Sequence, residues 1–264
     1  MDSCDINGQN VKMASRYPSL RNRLVVISGG ATGIGRSMVE TFARQEARVV
    51  FLDIQDAPAL DLIHAVVDGG APEPHYVRCD LVDVAQIRNA ASAILEIGIP
   101  DVLVNNAGND MRHSIDEVTP EFWEQMMALN LRHHFFLTQC FLPAMRKQLQ
   151  GSIINMSSIG WMIPSLNQIV YVTAKAAIVG LTRTLAHELG IFNIRVNCIM
   201  PGAVETERQQ RLWLTDEYKS QILDNQALKR MIKPEEVARL ALFLASDDSA
   251  AITNQSLVID SGWI

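Results

Sequence analysis

The chain has 264 residues and 48% of them are hydrophobic, which is enough to bury the core of one α/β domain. Its formal net charge is −6, so it lacks the basic excess of proteins that bind nucleic acid or anionic membranes. No linker, repeat or low-complexity tract divides it. We therefore predict one catalytic domain over residues 21–264, preceded by a loose N-terminal extension over residues 1–20.

The cysteines indicate a reducing compartment and no metal centre. They lie far apart and have no metal-ligand spacing, so we expect reduced thiols and no bound metal. Residues 1–20 contain no apolar run typical of a signal peptide, and the apolar stretch 237–245 is too short to span a bilayer. We expect a cytoplasmic protein without a membrane partner. The four cysteines are Cys4, Cys79, Cys140 and Cys198.

A glycine-rich turn follows the first predicted strand. The apolar run Leu24–Ile27 leads directly into Ser28–Gly35, and apolar residues then recur at helical spacing. Glycines between a strand and a helix let a pyrophosphate approach the backbone and the helix N-terminus. An ordinary strand-to-helix turn is the alternative interpretation. The residues that we expect to contact a dinucleotide here are Gly29, Thr32, Gly33, Ile34 and Gly35.

The second predicted strand, Arg48–Leu52, ends at an acid. Asp53 stands twenty residues after Gly33, where a carboxylate can accept hydrogen bonds from an adenosine ribose. The same charge repels a 2′-phosphate, and the following Ile54 supplies no cation, so we predict that NAD is preferred. Arg36 leaves NADP possible, and a helix-capping role for the acid is the alternative.

The later strands place polar residues at their carboxyl ends. This spacing predicts a single-domain Rossmann fold, a doubly wound seven-stranded parallel sheet with helices on both faces, whose ligands bind beyond the carboxyl ends of the strands. The remaining predicted strands, with the residues that follow them, are His75–Cys79 before Asp80, Asp101–Val104 before Asn105–Gly108, Gly151–Met156 before Ser157 and Ser158, Ile194–Ile199 before Pro201 and Gly202, and Ser256–Asp260.

Tyr171 and Lys175 are candidates for proton transfer. A spacing of four residues places both side chains on one helical face, where the ammonium would favour the phenolate. Free tyrosine is a poor base, since only about 1% is ionised at pH 8. Ser158 lies thirteen residues before Tyr171. A Tyr-x-x-x-Lys pair alone is a weak signal, because such pairs also occur by accident.

Over roughly residues 24–263, the chain resembles the short-chain dehydrogenase/reductase family. The resemblance rests on residues in the family's order and spacing: the glycine turn, Asp80, Asn105–Gly108, Asn130, Ser158, Tyr171, Lys175, Pro201 and Gly202. Ser28 departs from the threonine that is usual in the family, but it keeps the hydroxyl.

The resemblance implies a role for each catalytic residue. Ser158 would hold the reacting oxygen and Tyr171 would exchange the proton as a general acid or base. Lys175 would lower the pKa of Tyr171 and bind the nicotinamide ribose. Asn130, inside a predicted helix over residues 122–140, would hold a water that relays the proton outward.

The resemblance also implies further contacts to the cofactor. Asp80 would meet the adenine, Gly108 the ribose and Thr206 the amide end of the cofactor. A homotetramer built partly on the long helices before and after Ser158 is expected as well. The remaining predicted cofactor contacts are Leu81, Asn106, Ala107, Pro201, Gly202 and Val204.

Three segments outside the shared motifs are candidates for substrate binding. Their hydrogen-bonding groups and tryptophans suit a small polyhydroxylated molecule better than a steroid or an acyl chain. The residues concerned are Asn109, Asp110, Arg112 and His113, then Trp161 and Gln168, and then Glu205, Arg208, Gln209 and Trp213 in a predicted lid over residues 201–228. The predicted substrate contacts are Asn109, Arg112, Ser158, Trp161, Gln168, Tyr171 and Arg208. An Asp110–Arg112 pair that only fixes the loop is the alternative.

The run Asn106–His113 is similar to that of bacterial aldose 1-dehydrogenases acting on D-xylose or L-arabinose. This resemblance implies oxidation of an aldose at C1 to an aldonolactone, in sugar catabolism. A polyol dehydrogenase or a 3-ketoacyl reductase of the same fold is the nearer alternative. A non-catalytic dinucleotide sensor is the remote one, because a sensor has no need of an intact catalytic set.

Overall fold

Seven parallel strands form one sheet in the computed structural model, which describes residues 15–264. The strand order is β3-β2-β1-β4-β5-β6-β7, so the predicted doubly wound sheet is confirmed. The strands are β1 (Leu24–Ser28), β2 (Arg48–Asp53), β3 (His75–Arg78), β4 (Val102–Asn105), β5 (Gly151–Met156), β6 (Ile194–Pro201) and β7 (Ser256–Ile259).

Helices cover both faces of the sheet. In β1, Val25 and Ile27 pack on one side whereas Leu24 and Val26 pack on the other, because successive side chains of a strand alternate. The helices are α1 (Gly33–Ala43), α2 (Asp56–Asp68), α3 (Val84–Ile97), α4 (Pro120–Met127), α5 (His133–Gln148), α6 (Ile169–Leu189), α7 (Glu207–Leu212), α8 (Asp216–Asn225) and α9 (Pro234–Ala245). Helices α1, α2 and α9 cover the first side, and α3, α5 and α6 cover the second.

The strand order fixes where a ligand can bind. β1 pairs with β2 on one side and with β4 on the other, so the order reverses beside β1. At such a switch point the connections on the two sides leave in opposite directions and open a crevice at the carboxyl ends. Ser28, Asp53 and Asn105 end the three strands at this point.

The predicted helix over residues 122–140 is wrong in detail. The structure has α4, then a π-helical turn over Ala128–Arg132, then α5. The side-chain amide of Asn130 donates to the carbonyl oxygen of Met126, four residues earlier, at 3.0 Å. A side chain that bonds the carbonyl of the preceding turn competes with the regular ladder, and extra-residue turns of this kind are frequent at functional sites.

The domain begins before residue 21. Pro18–Leu20 form a 3₁₀ turn, the side chain of Leu20 is fully buried, and the backbone N–H of Tyr17 donates to Gln45 at 2.8 Å. These residues therefore belong to the packed domain, which moves its start ahead of the predicted boundary at residue 21. Residues 1–14 of that extension, with Cys4, lie outside the described residues.

Helix α6 is long and apolar, and one of its faces is buried in the core. With the turn that follows, Ile169–Phe192 is long and apolar enough to cross a bilayer by length and composition, with a mean hydropathy of 1.3. Core helices of soluble proteins reach such values too. Here α6 packs against β6, and its polar residues Lys175 and Thr182 are buried within the domain.

Candidate active site

Two glycines of the turn after β1 have no room for a side chain. Gly29 has a φ of +66°, and a Cβ added there would lie 2.8 Å from the Cα of Ala107. A Cβ on Gly35 would lie 1.8 Å from the carbonyl oxygen of Gly29. The turn is therefore packed so closely on the end of β4 that only glycine fits at these two positions.

Asn106 holds this turn in place. Its side-chain amide donates to the carbonyl oxygens of Ser28 and Gly29, both at 3.0 Å. Its backbone N–H donates to the hydroxyl of Ser28 at 2.9 Å. The Ser28 hydroxyl, which a threonine would also supply, thus fixes the loop after β4. The side-chain amide of Asn106 is used to hold the glycine turn.

The N-terminus of α1 fits a pyrophosphate. Thr32 is the N-cap residue, but its side chain makes no capping hydrogen bond to the first turn. Thr32, Gly33 and Ile34 all line the cleft. Uncapped N–H groups at the start of an eleven-residue helix attract an anion through their partial charge, and the absent side chains let it approach.

Asp53 is fixed at the end of β2 by backbone donors. One carboxylate oxygen accepts from Ala31 N at 2.9 Å, and the other accepts from Ile54 N at 2.8 Å and Gln55 N at 3.1 Å. Asp53 is only 6% exposed, yet it lines the cleft. A carboxylate offers about four lone-pair sites, so capacity remains for a ribose hydroxyl.

Arg36, the cation that leaves NADP possible, is already paired. Its guanidinium contacts Asp61 at 2.7 Å and Glu40 at 3.1 Å. These two carboxylates neutralise the charge that a 2′-phosphate would need.

The end of the cleft beside Asp53 also contains Asp80, Leu81 and Ile54, which the sequence predicts to contact the cofactor. Asp80 accepts from the backbone N–H of Val82 at 2.9 Å, which fixes the turn after β3. Ile54 and Leu81 also line the cleft. They supply apolar surface of the kind that a nucleobase contacts.

Ser158, Tyr171 and Lys175 meet at the opposite half of the cleft. All three line it, and the ammonium nitrogen of Lys175 lies 5.5 Å from the ring centroid of Tyr171. The ammonium donates to the carbonyl oxygen of Met156 at 2.8 Å. Because Lys175 is buried, its pKa is lowered to about 8. The loop after β5 and the first turns of α6 thus bring the predicted catalytic side chains together.

The expected lowering of the Tyr171 pKa is not what this geometry produces. Burial raises the pKa of Tyr171, and the negative charge of Asp110 raises it further. A hydrogen bond with Ser158 acts in the opposite direction. At 5.5 Å from the ring, Lys175 does not offset the loss of hydration.

Asn130 lies beneath the catalytic residues, not in the cleft wall. It is fully buried, and its side-chain oxygen accepts from the backbone N–H of Asn109 at 2.8 Å. A Cβ on Gly108 would lie 3.1 Å from that oxygen and 3.2 Å from the ammonium nitrogen of Lys175. A glycine at this position therefore keeps Asn130 and Lys175 next to the loop after β4.

The loop after β4 is bonded to the predicted lid. Arg208 donates to the side-chain oxygen of Asn109 at 2.8 Å and lies 3.5 Å from a carboxylate oxygen of Asp110. Gln209 donates to the other oxygen of Asp110. The alternative Asp110–Arg112 pair is wrong, because Asp110 is bound by α7.

Arg112 lies instead between two aromatic rings. Its guanidinium carbon is 4.7 Å from the centroid of Trp213 and 4.9 Å from that of Tyr218. Both aromatic residues belong to the lid, so the arginine ties the lid to the loop by cation–π contact.

The other predicted substrate residues are scattered. Gln168 lines the cleft, whereas Trp161 is 37% exposed and lies outside the lining. His113 is buried, with its ring against Phe122. Glu205 is paired with Lys233. Cleft residues that no sequence pattern indicated include Ile163, Ser165, Leu214, Tyr218, Met231 and Trp263.

One continuous cleft of about 900 Å³ joins the glycine turn to Ser158, Tyr171 and Lys175. That volume is at the upper end of the range for small-molecule and cofactor sites. Within residues 15–264, no group of three or more His, Cys, Asp or Glu could hold a metal ion. The predicted cofactor residues that line the cleft are Gly29, Thr32, Gly33, Ile34, Gly35, Asp53, Ile54, Asp80, Leu81, Asn106, Ala107, Gly108, Tyr171, Lys175, Pro201, Gly202, Val204 and Thr206.

Known proteins share both this sequence and this fold. Residues 29–264 match the family model described as Enoyl-(Acyl carrier protein) reductase. "Probable galactose dehydrogenase GalD" of Rhizobium meliloti is 46% identical over 250 residues, covering 94% of this chain and 98% of that protein. D-xylose 1-dehydrogenase of Caulobacter vibrioides is 47% identical over 247 residues, with the same two coverages of 94% and 98%.

Among solved structures, the chain is similar to a 3-oxoacyl-[acyl-carrier protein] reductase with bound NAD from Brucella melitensis. The TM-score is 0.86, with 29% identity and 94% of each chain covered. The chain belongs to the short-chain dehydrogenase/reductase family. It is an oxidoreductase of a family that binds NAD(P).

Proposed function

We propose that the protein oxidises an aldose at C1 to the aldonolactone, with NAD as the preferred acceptor. The observation that carries this proposal is the pairing of Ser158 and Tyr171 with a polar pocket in which Arg112 and Arg208 are already engaged. Arg208 is held by Asn109 and Asp110, so the pocket favours a neutral polyol over an anion. The names of the two relatives, a galactose and a D-xylose dehydrogenase, agree with an aldose.

The residues define the proton chemistry. Ser158 donates its hydroxyl hydrogen to the anomeric oxygen and holds it beside Tyr171, whose phenolate removes the proton from that oxygen. Because Lys175 alone does not offset the burial of Tyr171, the positive charge of a bound oxidised nicotinamide would be needed to favour that phenolate. When bound, the dinucleotide accepts the hydride that leaves C1. Lys175 is buried next to the phenol, where it fixes the ribose and supplies positive charge. Hydrolysis of the lactone product draws the reaction forward, so the physiological direction is oxidation.

The preference for NAD rests on two acidic arrangements. Asp53 presents a fixed carboxylate where a 2′-phosphate would lie, and Arg36 is neutralised by Glu40 and Asp61. A phosphate would therefore meet net negative charge. NADP is the weaker cofactor.

The remaining assignments complete the proposal. Thr206 caps α7 through its hydroxyl and contacts the amide end of the cofactor. Asn130 holds the water that carries the proton from Lys175. The lid over residues 201–228, built from α7 and α8, covers the substrate. The enzyme is a cytoplasmic homotetramer that uses the exposed faces of α5 and α6.

The test is a panel of sugars followed at 340 nm. L-arabinose, D-xylose, L-fucose, D-galactose, D-glucose and xylitol are each assayed with NAD and with NADP. Turnover of one or two aldoses, with none of xylitol, is the expected result. Activity with xylitol or with ketones but with no aldose would overturn the proposal in favour of a polyol dehydrogenase or a 3-oxoacyl reductase.

A pair of tyrosine variants links that activity to the site. Tyr171→Phe removes the proton acceptor and should lower kcat by about 10²- to 10⁴-fold with little change in NAD affinity. Tyr17→Phe removes the same hydroxyl far from the cleft and should retain full activity. A Tyr171→Phe enzyme that kept its kcat would contradict the proposed mechanism.

A further inference from the structure

We infer that Asp110 is a specificity-determining residue, whose carboxylate accepts hydrogen bonds from hydroxyl groups of the aldose. The inference rests on the proposed function, because it names the group that recognises the sugar in the same cleft. Asp110 lies in the loop after β4 and lines the cleft together with Tyr171 and Ser158.

The position of Asp110 puts its charge within reach of the reacting centre. Its side chain is only 17% exposed. Its negative charge raises the pKa of both Tyr171 and Lys175, which face the cleft from α6. Because Asp110, Tyr171 and Lys175 all line one cleft, a small molecule in it can contact the carboxylate and the phenol together.

The lid orients the Asp110 carboxylate but does not occupy all of its hydrogen-bond acceptor sites. Gln209 donates to one oxygen, and Arg208 approaches the other at 3.5 Å, which is a long contact. An ionised carboxylate is an acceptor with about four lone-pair sites. Acceptor capacity therefore remains, in an orientation that α7 fixes.

The neighbouring polar groups are engaged with the protein. The side-chain oxygen of Asn109 accepts from Arg208, and Arg112 lies between the rings of Trp213 and Tyr218. Asp110 is thus the charged acceptor that the loop offers to a ligand.

The chemistry of the carboxylate indicates the class of substrate. Sugar hydroxyls are good donors to an ionised acceptor, and such hydrogen bonds are stronger than those between neutral groups. A carboxylate substrate would be repelled, so Asp110 selects neutral aldoses over sugar acids. A site built to bond a substrate hydroxyl also rejects the analogue that lacks it.

The experiment compares the removal of a hydroxyl group from the sugar with the removal of the negative charge of Asp110. Wild type and Asp110→Asn are assayed at saturating NAD with the preferred aldose and with its 2-, 3- and 4-deoxy analogues. For the wild-type enzyme, kcat/KM with one or two of the analogues should be about ten- to a hundredfold lower than with the parent aldose. In Asp110→Asn, kcat/KM for the parent sugar should fall by a similar factor relative to wild type. For that variant, kcat/KM with the same deoxy analogues should then be less than about threefold below its value with the parent sugar.

The control is Asp116→Asn, which removes the same charge from an exposed site outside the cleft lining. Asp116→Asn should keep the wild-type kcat/KM for the parent aldose, and its kcat/KM should fall for the deoxy analogues as much as in wild type. If Asp110→Asn does not fold, as judged by its thermal midpoint, Asp110→Ser replaces it.

Two results would overturn the inference. One is an Asp110 variant that lowers kcat/KM by the same factor for the parent and for every analogue, since that pattern marks a role confined to holding the lid. The other is a variant with wild-type kinetics. A wild-type enzyme that oxidises no aldose overturns the proposed function itself, and this inference with it.

Discussion

The side-chain oxygen of Asn130 accepts a hydrogen bond from the backbone N–H of Asn109 at 2.8 Å. This bond joins the π-helical turn over Ala128–Arg132 to the loop that also carries Asp110. The proton-transfer side of the cleft and its substrate side are thus connected through one amide. A substitution in either segment is therefore expected to affect both sides.

Exchanging the charge at the end of β2 should change the cofactor. In Asp53→Asn combined with Ile54→Arg, the carboxylate is lost and a guanidinium is added at a half-exposed position in the cleft. The ratio of kcat/KM with NADP to that with NAD should rise by about tenfold or more. Initial rates with both cofactors measure it. Arg36→Gln is the companion variant, and a fall in the ratio with it would show that Arg36 does serve the 2′-phosphate.

Arg112 should matter for sugar binding because it connects the lid to the loop. Arg112→Lys keeps the charge but cannot stack flat between Trp213 and Tyr218, so about 1–2 kcal/mol of cation–π contact is weakened. The KM for the sugar should rise by about tenfold, with a smaller effect on kcat. Limited proteolysis should cut the lid faster in the variant. Unchanged KM and unchanged cleavage would count against this role.

Two glycines offer a matched comparison. In Gly35→Ala the new methyl group would overlap the carbonyl oxygen of Gly29, so we expect a loss of about 1–3 kcal/mol and weak NAD binding. Gly180 lies inside α6 with no atom within 4 Å of the added Cβ. Because Gly180 is far from the glycine turn, Gly180→Ala should leave NAD binding unchanged and should not lower the thermal midpoint of the single chain as Gly35→Ala does. Thermal midpoints and NAD titrations are measured for both variants. Equal effects of Gly35→Ala and Gly180→Ala would refute the claim that close packing restricts position 35 to glycine.

Acid should destabilise the protein through two buried histidines. Burial lowers the pKa of His133 to about 3 and that of His134 well below its usual value. Below about pH 6.5 the unfolded chain binds a proton at each imidazole, whereas the folded chain does not. The free energy of unfolding should therefore fall by about 1.4 kcal/mol per pH unit for each histidine as the pH drops toward about 4.

A pair of histidine variants tests this. In His133→Phe the slope of the thermal midpoint against pH, between 6.5 and 4.5, should be clearly smaller than in wild type. His64→Gln removes an exposed imidazole and should leave the slope unchanged. Parallel slopes in all three proteins would mean that carboxylates, not these histidines, dominate acid unfolding.

The fold and the cofactor half of the cleft were predictable because their signals are local. β1, β2 and β4 are short apolar runs that end at Ser28, Asp53 and Asn105, and the parallel arrangement brings those ends to one edge. Gly35 is required by its close approach to the carbonyl oxygen of Gly29, which lies in the same turn. Asp53 follows its strand directly, so its place needed no knowledge of distant contacts.

The π turn and the substrate half were not predictable in the same way. One additional residue in a helical turn barely alters hydrophobic periodicity, so the break around Asn130 left no trace in the pattern. Arg208 and Asp110 are 98 residues apart, and nothing local to either position indicates their contact. Trp161 is close to Ser158 in sequence but does not line the cleft, whereas Trp263 lines it from the end of the chain. The Tyr171 pKa likewise depends on burial, which periodicity does not report.

The hydrogen bond from Asn106 to Gly29 also bears on how the protein is made. The two residues are 77 positions apart, so the partner that fixes the glycine turn leaves the ribosome long after the turn itself. At about 5–20 residues per second the delay is on the order of 4–15 seconds. During this interval the nascent chain carries β1 and β2 without β4 beside them. Nucleotide can therefore stabilise this half of the protein only after synthesis has passed β4.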